Sequence, residues 1–442
     1  MNTCEDHRHD MGHLHGAGHG RLPWADDADS GYGGRMEITG DRRILPSRLA
    51  AGDAALRAVG RALHAAEDVA RRRGWPARLS TEAGWIEDSF DSLRHLRVDG
   101  RAPEGFAPHS GLFATTDGWV RTHGNYPHHR DALLRAVGLP PDADRKDLTV
   151  VLARGTADSV VESVVRAGGV AARVRTAAEW SQHPAVGQPG PEEGRVRGER
   201  ACAAAPLRGG SAARRAAGPW DATAGSAPST LPLTGFRVVS FTRVIAGPVA
   251  ARLLGALGAQ VVRIDPPHLP ELVDQRLDTD FGVDVRTADL RRSVDRACVD
   301  RLLAHADGLI LGYRPGGLDR LGLGTGGVLA AHPHLATAVI RAWDPAGAWA
   351  ERRGFDSIVQ AASGIAERCG DAGRPGALPA QILDHVTGYR AAGALMRMWA
   401  AEQAGAREFA LADVAADLLD FVQQPVERRA GPGSSGAVNE SA

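Results

Sequence analysis

The sequence lacks the features on which membrane, exported and nucleic-acid-binding proteins depend. No stretch approaches the run of about 20 apolar residues that crosses a bilayer, and the polar N-terminal residues contain no apolar signal core. A formal net charge of −1 leaves no broad basic surface for a phosphate backbone. We therefore expect a cytoplasmic protein that binds neither membranes nor nucleic acid.

Cysteine is also scarce. The four cysteines (Cys4, Cys202, Cys298 and Cys369) lie far apart and lack CxxC spacing, which favours reduced thiols over a disulfide framework or a zinc site. Histidines are dense only near the N-terminus, at His7, His9, His13, His15 and His19. Their spacing is loose and no other ligands are near, so a disordered tail is favoured over a transition-metal site. No metal is predicted.

Composition and periodicity divide the chain into five segments. Residues 1–45 are predicted to be a disordered tail and residues 46–190 a globular α+β substrate domain. Residues 191–230 are rich in Gly, Pro, Arg, Ala and Ser and are predicted to be a linker. Residues 231–422 alternate strands with helices, and 423–442 are predicted to be a second disordered tail.

Within the first globular segment, two features stand out. Residues 111–121 are predicted to form a hairpin that turns at Asp117-Gly118, and residues 157–167 a helix. A polar cluster follows the hairpin, at Tyr126, His128 and His129, and is interpreted either as facing substrate or as the start of a helix. His123, Asn125, Tyr126 and His128 are suggested to line the substrate pocket.

The second half predicts a parallel sheet. Residues 236–241 form a strand, 249–257 a helix and 260–265 a second strand, which together make a right-handed βαβ unit. Further strands are predicted at 308–312 and 336–341. The expected fold is α/β, a doubly wound parallel sheet that binds ligands at the carboxyl ends of its strands, with a second, smaller α+β domain.

Two positions at those strand ends are candidate ligand contacts. The turn at residues 242–248 contains Gly247, which permits close backbone approach, and leads into a helix N-terminus that offers N–H donors to an anion. The turn lacks GxGxxG, so a standard NAD site is not expected. Asp265 stands where a ribose-binding acid would lie, but without those glycines a structural role is favoured.

Asp384 begins a long apolar helix that is rich in small residues and runs to about Ala401. From the pattern alone an aspartate there is more often a helix cap. The functional interpretation is a carboxylate nucleophile that attacks an activated acyl group. Gly364 and Gly388 would leave room for a bulky substrate. His385 is adjacent, but neighbours on a helix point about 100° apart and would not act together.

Five motifs occur in order and resemble the CaiB/BaiF, or class III, CoA-transferases. The family patterns are PLxGxRVLDLTxxxAGP, LGADVIKVE, ADVxxxxxRPGxxxRLGL, GYDxxxQAxSG and the catalytic aspartate. The matching positions here are 232–248, 257–265, 306–322, 354–364 and Asp384. The resemblance covers residues 231–422 and implies a Rossmann-like CoA-binding domain.

The resemblance implies that Asp384 forms an anhydride with the donor acyl group and then an aspartyl-CoA thioester, from which an acceptor carboxylate collects CoA. It also implies a CoA site made of Arg243, Ile245, Ala246, Pro266, Tyr313, Arg320 and Arg353. Arginine suits this role because a guanidinium grips phosphate bidentately. No cofactor beyond the CoA thioester is implied. The partners expected are an acyl-CoA, a carboxylic acid and a second copy in a homodimer.

Three departures from the family pattern refine this expectation. Racemases of the family carry a histidine where this chain has Phe355, so transfer is favoured over racemisation. Ile245 replaces a polar residue of the formyl-CoA branch, so that substrate is not indicated. Residues 106–120 resemble the family's larger domain yet precede the CoA-binding segment, as though the chain were permuted. Two alternatives stay open, an acyl-CoA racemase or isomerase and a degenerate CoA-binding homologue.

Overall fold

The computed structural model describes residues 37–74, 78–103, 105–196, 220 and 231–423. The histidine-rich tail, most of the predicted linker and the predicted tail after residue 423 lie outside the described residues. Within the described residues, no helix combines the length and the apolar character needed to span a membrane.

Before residue 197 the elements are short, apart from one long helix. They are β1 (Glu37–Thr39), α1 (Ala51–Arg72), β2 (Ser80–Glu82), α2 (Ala83–Phe90), α3 (Ser92–His95), β3 (Gly111–Thr115), β4 (Gly118–Thr122), α4 (Pro127–Ala136), α5 (Arg145–Leu152), α6 (Ala157–Arg166), β5 (Ala171–Arg173), α7 (Ala177–Ser181) and β6 (Arg195–Val196).

From residue 231 strands and helices alternate regularly. They are β7 (Arg237–Phe241), α8 (Ala246–Ala256), β8 (Gln260–Asp265), α9 (Val273–Thr279), β9 (Asp284–Thr287), α10 (Ser293–His305), β10 (Gly308–Leu311), α11 (Thr325–Ala331), β11 (Ala336–Arg341), α12 (Asp356–Ser363), α13 (Ile365–Arg368), α14 (Ile382–Ala400), β12 (Gly405–Ala410) and α15 (Leu411–Gln423).

The main sheet is mostly parallel, which confirms the mixed α/β expectation. Its seven strands lie in the order β6-β12-β11-β10-β7-β8-β9, and only β6 pairs antiparallel, with β12. Strands β9 and β12 were not predicted. The chain order reverses between β8 and β10 on either side of β7, so the carboxyl end of β7 opens into the crevice where such sheets bind ligands.

Both faces of this sheet are covered, because successive strand residues point to opposite sides and are apolar on each. On β7, Val238 belongs to the core shared with α1, α8, α12 and α14, whereas Val239 belongs to the core shared with α10 and α11. The second core also contains Trp220, which is 1% exposed. The near-continuous apolar runs that predicted strands β7, β8, β10 and β11 therefore reflect burial on two sides.

The first segment contains a separate antiparallel sheet in the order β3-β4-β5. Strands β3 and β4 form the predicted hairpin, with Thr115 paired to Gly118, so the turn residues are Thr116 and Asp117, one position earlier than expected. The Asp117 carboxylate accepts a hydrogen bond of 2.7 Å from the N–H of Ala157 and so holds the start of α6.

Two boundaries of the disordered tail and the linker need correction. Residues 37–45 were assigned to the tail, yet β1 pairs in parallel with β2, and Ile38, Ile44 and Leu45 are buried. Residues 191–196 were assigned to the linker, yet Arg195 of β6 forms an ion pair of 2.8 Å with Asp344. The first stretch is held by strand pairing and by these three apolar side chains, which lie in the main core, whereas the second is held mainly by charge.

Helix α14 runs through the centre of the larger core and packs against α1 and α8. Its contact with α8 is close, since a Cβ built on Gly388 would lie 2.5 Å from the Ala246 carbonyl oxygen and 3.0 Å from the Val249 Cβ. Glycine at this position therefore sets the distance between the two helices.

We predict that Gly388→Ala lowers the free energy of unfolding by about 1–3 kcal/mol, because the added methyl group must displace backbone. The matched control is Gly326→Ala in α11, where a Cβ would meet nothing within 4 Å. That change is expected to leave stability unchanged or slightly raised, since alanine favours helix. Urea unfolding measures both, and equal midpoints for the two variants would contradict the close-packing argument.

Candidate active site

The Asp384 side chain lies in the first turn of α14 and is 6% exposed. The close approach at Gly388 brings the start of α8 near it, and the N–H of Ala246 lowers the pKa of the carboxyl group. A carboxylate in the first turn of a helix is also favoured by the exposed N–H groups there. The structure therefore places Asp384 against Ala246, one of the residues that the resemblance assigned to CoA binding.

A second buried carboxylate, Asp356, lies next to Asp384. Asp356 begins α12 and is 1% exposed, and its Oδ2 accepts a hydrogen bond of 3.1 Å from the backbone N–H of Asp384. Its other oxygen accepts from the Gln360 side chain, whose own carbonyl oxygen accepts a bond of 3.0 Å from Leu378 N–H. Helix α12 thus fixes the position from which α14 starts.

Burial raises the pKa of both carboxyl groups, and the charge of Asp356 also raises that of Asp384. Burial raises the pKa of Asp356 to about 6, against the opposing effect of hydrogen bonds from Asp384 N–H, Gln360 and Leu383 N–H and of the nearby Arg121 guanidinium. Burial and the charge of Asp356 raise the pKa of Asp384 well above its usual range, and only the Ala246 N–H opposes them. Since Asp356 has more donors, it ionises first and Asp384 keeps the proton longer.

Aromatic side chains cover the next part of the site. Phe355 stacks on His123 with ring centroids 3.7 Å apart, and Tyr126 and His129 lie within about 6.5 Å of the same ring. Burial lowers the pKa of His123 to about 3, so its imidazole is neutral at pH 7. Of the residues proposed from sequence to line a pocket, His123 and Tyr126 thus meet Phe355.

Two other members of that cluster have different surroundings. His128 is exposed, and its ring lies 4.1 Å from that of His129. Asn125 accepts hydrogen bonds from Ala107 N–H and the Ser110 hydroxyl and so holds the loop before β3. Asn125 therefore has a structural role in this conformation. Tyr126 flanks the N-terminus of α4 and Pro127 is its first residue, so this part of the cluster is also the start of a helix.

The turn after β7 is held from two sides. The Arg243 guanidinium lies 4.6 Å from the centre of the Tyr126 ring and donates a hydrogen bond of 2.9 Å to the Pro270 carbonyl oxygen. Val244 has a φ of +70° and its N–H donates to the Glu271 carboxylate at 2.8 Å. Ile245 then precedes α8 as its N-terminal flanking residue.

The remaining predicted CoA contacts are spread around this centre. The Tyr313 hydroxyl donates a hydrogen bond of 3.3 Å to the Ile264 carbonyl oxygen in β8, and burial raises its pKa. Arg353 donates a hydrogen bond of 2.8 Å to the Gly168 carbonyl oxygen. Pro266 follows β8 and is half-buried, whereas Arg320 is exposed in a 3-10 turn at Asp319–Leu321.

Asp265 is already paired, in agreement with the structural role favoured from sequence. Both of its carboxylate oxygens accept hydrogen bonds of 3.0 Å from Arg263, which is 2% exposed. Arg263 also pairs with Asp280. The Asp265 carboxylate is therefore engaged within the protein at the strand end where a dinucleotide fold presents an acid to ribose.

Sequence reasoning missed two members of the site. Asp356 was recognised as part of a motif, yet its contact with Asp384 was not foreseen; the spacing of Asp356 and Gln360, four apart on one helix face, was the available signal. Glu271 gave no local signal, because its partners Val244 and Tyr126 are 27 and 145 residues away along the chain.

The part of the chain that carries this site is similar to a known protein family. Residues 233–280 and 281–429 match the family model described as CoA-transferase family III. This match confirms the resemblance found in the motifs of residues 231–422. It begins at residue 233, so the likeness of residues 106–120 to the family's larger domain stays a prediction.

Individual relatives cover the same region. A probable fatty acyl-CoA transferase of Mycobacterium tuberculosis is 31% identical over 37% of this chain and 45% of its own length. The succinyl-CoA–L-malate CoA-transferase beta subunit of Chloroflexus aurantiacus is 30% identical over 41% and 48%. The crystal structure of a CAIB/BAIF family protein from Brucella suis is 26% identical over 46% and 59%, with a TM-score of 0.39. The chain spans about half the length of the curated relatives it matches.

We predict that Asp384→Asn stabilises the protein at high pH. The raised pKa means that the folded state holds the proton more tightly than the unfolded state, so this group's contribution to stability is present at low pH and is lost as the pH rises. The gain is expected to grow over the pH range that begins near the ordinary aspartate pKa of about 4 and ends where Asp384 of the folded protein ionises. Thermal unfolding across that range measures it. Asp142→Asn, at an exposed position, is the control, and a pH-independent difference would refute the assignment of the buried pair.

Proposed function

We propose that the protein is an enzyme that moves CoA from an acyl-CoA donor to a carboxylic acid, since residues 233–280 and 281–429 match the model of CoA-transferase family III. The observation that carries the proposal is Asp384, a carboxylate held in the first turn of α14 beside the N–H of Ala246 and above a second carboxylate. The named relatives are CoA-transferases, which supports the reaction class.

In the proposed reaction Asp384 is the nucleophile. Its carboxylate attacks the thioester carbonyl of the donor, which forms a mixed anhydride and releases the CoA thiolate. The thiolate attacks the aspartyl carbonyl of that anhydride, which releases the donor acid and leaves an aspartyl-CoA thioester. The acceptor carboxylate attacks this thioester, and the thiolate released then attacks the acceptor's acyl carbonyl. This last step yields the new acyl-CoA and restores the Asp384 carboxylate.

The protein's own groups supply position and charge control for these steps. The Ala246 N–H favours the ionised form of Asp384, which is the form able to attack. The negative charge of Asp356 acts in the opposite direction and so increases the basicity of the nucleophile. Burial keeps water away from Asp384, and this protects an anhydride or thioester from hydrolysis.

CoA is proposed to bind at the carboxyl end of β7. Counted from β7 along the chain, the sheet reads 3-2-1-4-5-6 from β9 to β12, which is the order of Rossmann-like dinucleotide-binding sheets. The turn at Arg243, Ile245 and Ala246 faces this crevice, with Tyr313 nearby and Pro266, Arg320 and Arg353 around it. Arg320 is exposed and suits a phosphate contact on the surface. A cytoplasmic homodimer without a further cofactor completes the proposal.

An acyl-CoA racemase or isomerase is the second candidate, and His123 favours it. Phe355 occupies the position of the racemase histidine, but the imidazole of His123 stacks on that phenyl ring, and its Nδ1 has no hydrogen-bond partner among the described residues. A neutral buried imidazole is able to accept a proton. Deuterium incorporation at the α-carbon of an acyl-CoA, without any acceptor acid, would support this candidate over transfer.

The nucleophile assignment predicts a covalent adduct. Wild-type protein incubated with acyl-CoA and then hydroxylamine or borohydride is expected to carry its modification on Asp384, detected by peptide mass spectrometry. Asp384→Ala is expected to retain acyl-CoA affinity within several-fold and to lose transfer to below about one thousandth. Full turnover in that variant would end the assignment, and intact CoA binding without an adduct in wild type would favour a degenerate CoA-binding protein.

The buried pair predicts the pH dependence of transfer. Asp384 must be ionised to attack, so kcat/KM is expected to rise with pH through a limb well above the usual aspartate range. Asp356→Asn removes the neighbouring charge while its amide oxygen still accepts from Asp384 N–H. This variant should therefore shift the limb to lower pH. A limb that stays in place would show that Asp356 does not set the pKa of Asp384.

A further inference from the structure

Glu271 is a buried carboxylate that joins three parts of the chain. It is 8% exposed, and its Oε1 accepts hydrogen bonds of 2.5 Å from the Tyr126 hydroxyl and 2.8 Å from Leu272 N–H. Its Oε2 accepts 2.8 Å from Val244 N–H and lies 3.6 Å from Arg243 Nε. Both oxygens are therefore engaged, and three of these four partners lie in the turn after β7 or in the first globular segment.

The Val244 backbone needs such support. A φ of +70° is rare for a β-branched residue, and conformations of this kind persist only where the surrounding structure imposes them. The Glu271 carboxylate accepts the Val244 N–H in this conformation. Two residues later, Ala246 lies against α14, with its carbonyl oxygen 2.5 Å from a Cβ built on Gly388, and its N–H lowers the pKa of Asp384. The direction of the Ala246 N–H therefore depends on a backbone that Glu271 fixes.

Tyr126 ties this arrangement to the first globular segment. Its hydroxyl donates to Glu271, and its ring lies 4.6 Å below the Arg243 guanidinium. Tyr126 also belongs to the aromatic group around Phe355. The Glu271 carboxylate thus connects the first globular segment, through Tyr126, with the turn after β7, through Val244.

We propose that Glu271 is a positioning residue which, with Tyr126, holds the turn at 243–246 in the conformation that receives acyl-CoA and directs the Ala246 N–H at Asp384. Glu271 touches neither substrate nor reacting atoms in this role. The inference rests on the proposed function for its catalytic consequence, but its structural part concerns the turn alone.

The variant Glu271→Gln tests the proposal because an amide offers one acceptor oxygen in place of two. The N–H groups of Val244 and Leu272, which bond to different oxygens of Glu271, can then no longer both be accepted. The KM for acyl-CoA is expected to rise about tenfold or more. Tyr126→Phe removes only the hydroxyl donor and is expected to have a smaller effect in the same direction. The matched control is Asp278→Asn, since Asp278 is also 8% exposed and accepts from Ser92 without contacting the turn.

The pH profile separates positioning from a general loss of stability. The charged groups that face Asp384 are Asp356 of α12 and, behind it, Arg121 of β4, and Ala246 N–H is the donor from α8. If Glu271→Gln turns that N–H away, the acid limb of kcat/KM moves to higher pH. Asp278→Asn is expected to lower the unfolding temperature and to leave both KM and the limb in place.

Amide hydrogen exchange provides a readout that requires neither turnover nor ligand. Peptides containing Val244–Ala246 should exchange faster in Glu271→Gln than in wild type or Asp278→Asn. Unchanged exchange together with wild-type KM would overturn the proposal. Faster exchange in a protein whose wild type transfers no CoA would support the positioning role and refute the proposed activity instead, so the two failures are distinguishable.

Discussion

The close packing of α14 on α8 is the constraint on which the site depends. Glycine at 388 lets the two helices approach until the Ala246 carbonyl oxygen would touch a side chain there. That approach brings the first turn of one helix near the first turn of the other, where the Ala246 N–H lowers the pKa of the Asp384 carboxyl group. The pair Asp384 and Asp356, the turn at Val244 and the aromatic group around Phe355 are all arranged around this contact.

The arrangement carries an energetic cost that helps to identify it as functional. Asp356 and Asp384 are both buried, and the Asp356 carboxylate accepts from the backbone N–H of Asp384. Both carboxyl groups resist ionisation, and among the described residues they have amide donors but no bonded cation. A protein selected for stability alone would replace one of them. Val244 adds strain a few residues away. Unfavourable features concentrated in one crevice are typical of active sites.

Most strands of the main sheet could be predicted from the sequence, and the failure to predict the others has physical causes. Strands β7, β8, β10 and β11 are apolar on both faces, which produces a local signal that needs no partner. Strand β12 contains Arg407 and Glu408, and Glu408 is buried because it pairs with Arg341 of β11 at 3.3 Å. A charged pair between neighbouring strands cannot be read from either strand alone, so β12 gave the pattern of a surface segment.

The residues of the candidate site likewise divide into those that the sequence predicts and those whose roles depend on distant contacts. Asp384 was predicted through the order of motifs along the chain, and its neighbour Ala246 lies in one of those motifs. Asp356 and Glu271 act through partners that folding brings from distant positions, so motif order alone could not assign their roles. The residues proposed to carry the chemistry lie in motifs that the sequence reveals, whereas the contacts that hold them in place required the structure.

The pairing of Asp265 with Arg263 has a consequence for which ligands the crevice accepts. One arginine is shared by two carboxylates, Asp265 and Asp280, so the three side chains together keep a net charge of −1. Arg263 therefore reduces the repulsion that this strand end presents to an anion but does not cancel it. Where a dinucleotide fold presents a free acid to ribose, this sheet presents a carboxylate that is already bound to a side chain of its own strand.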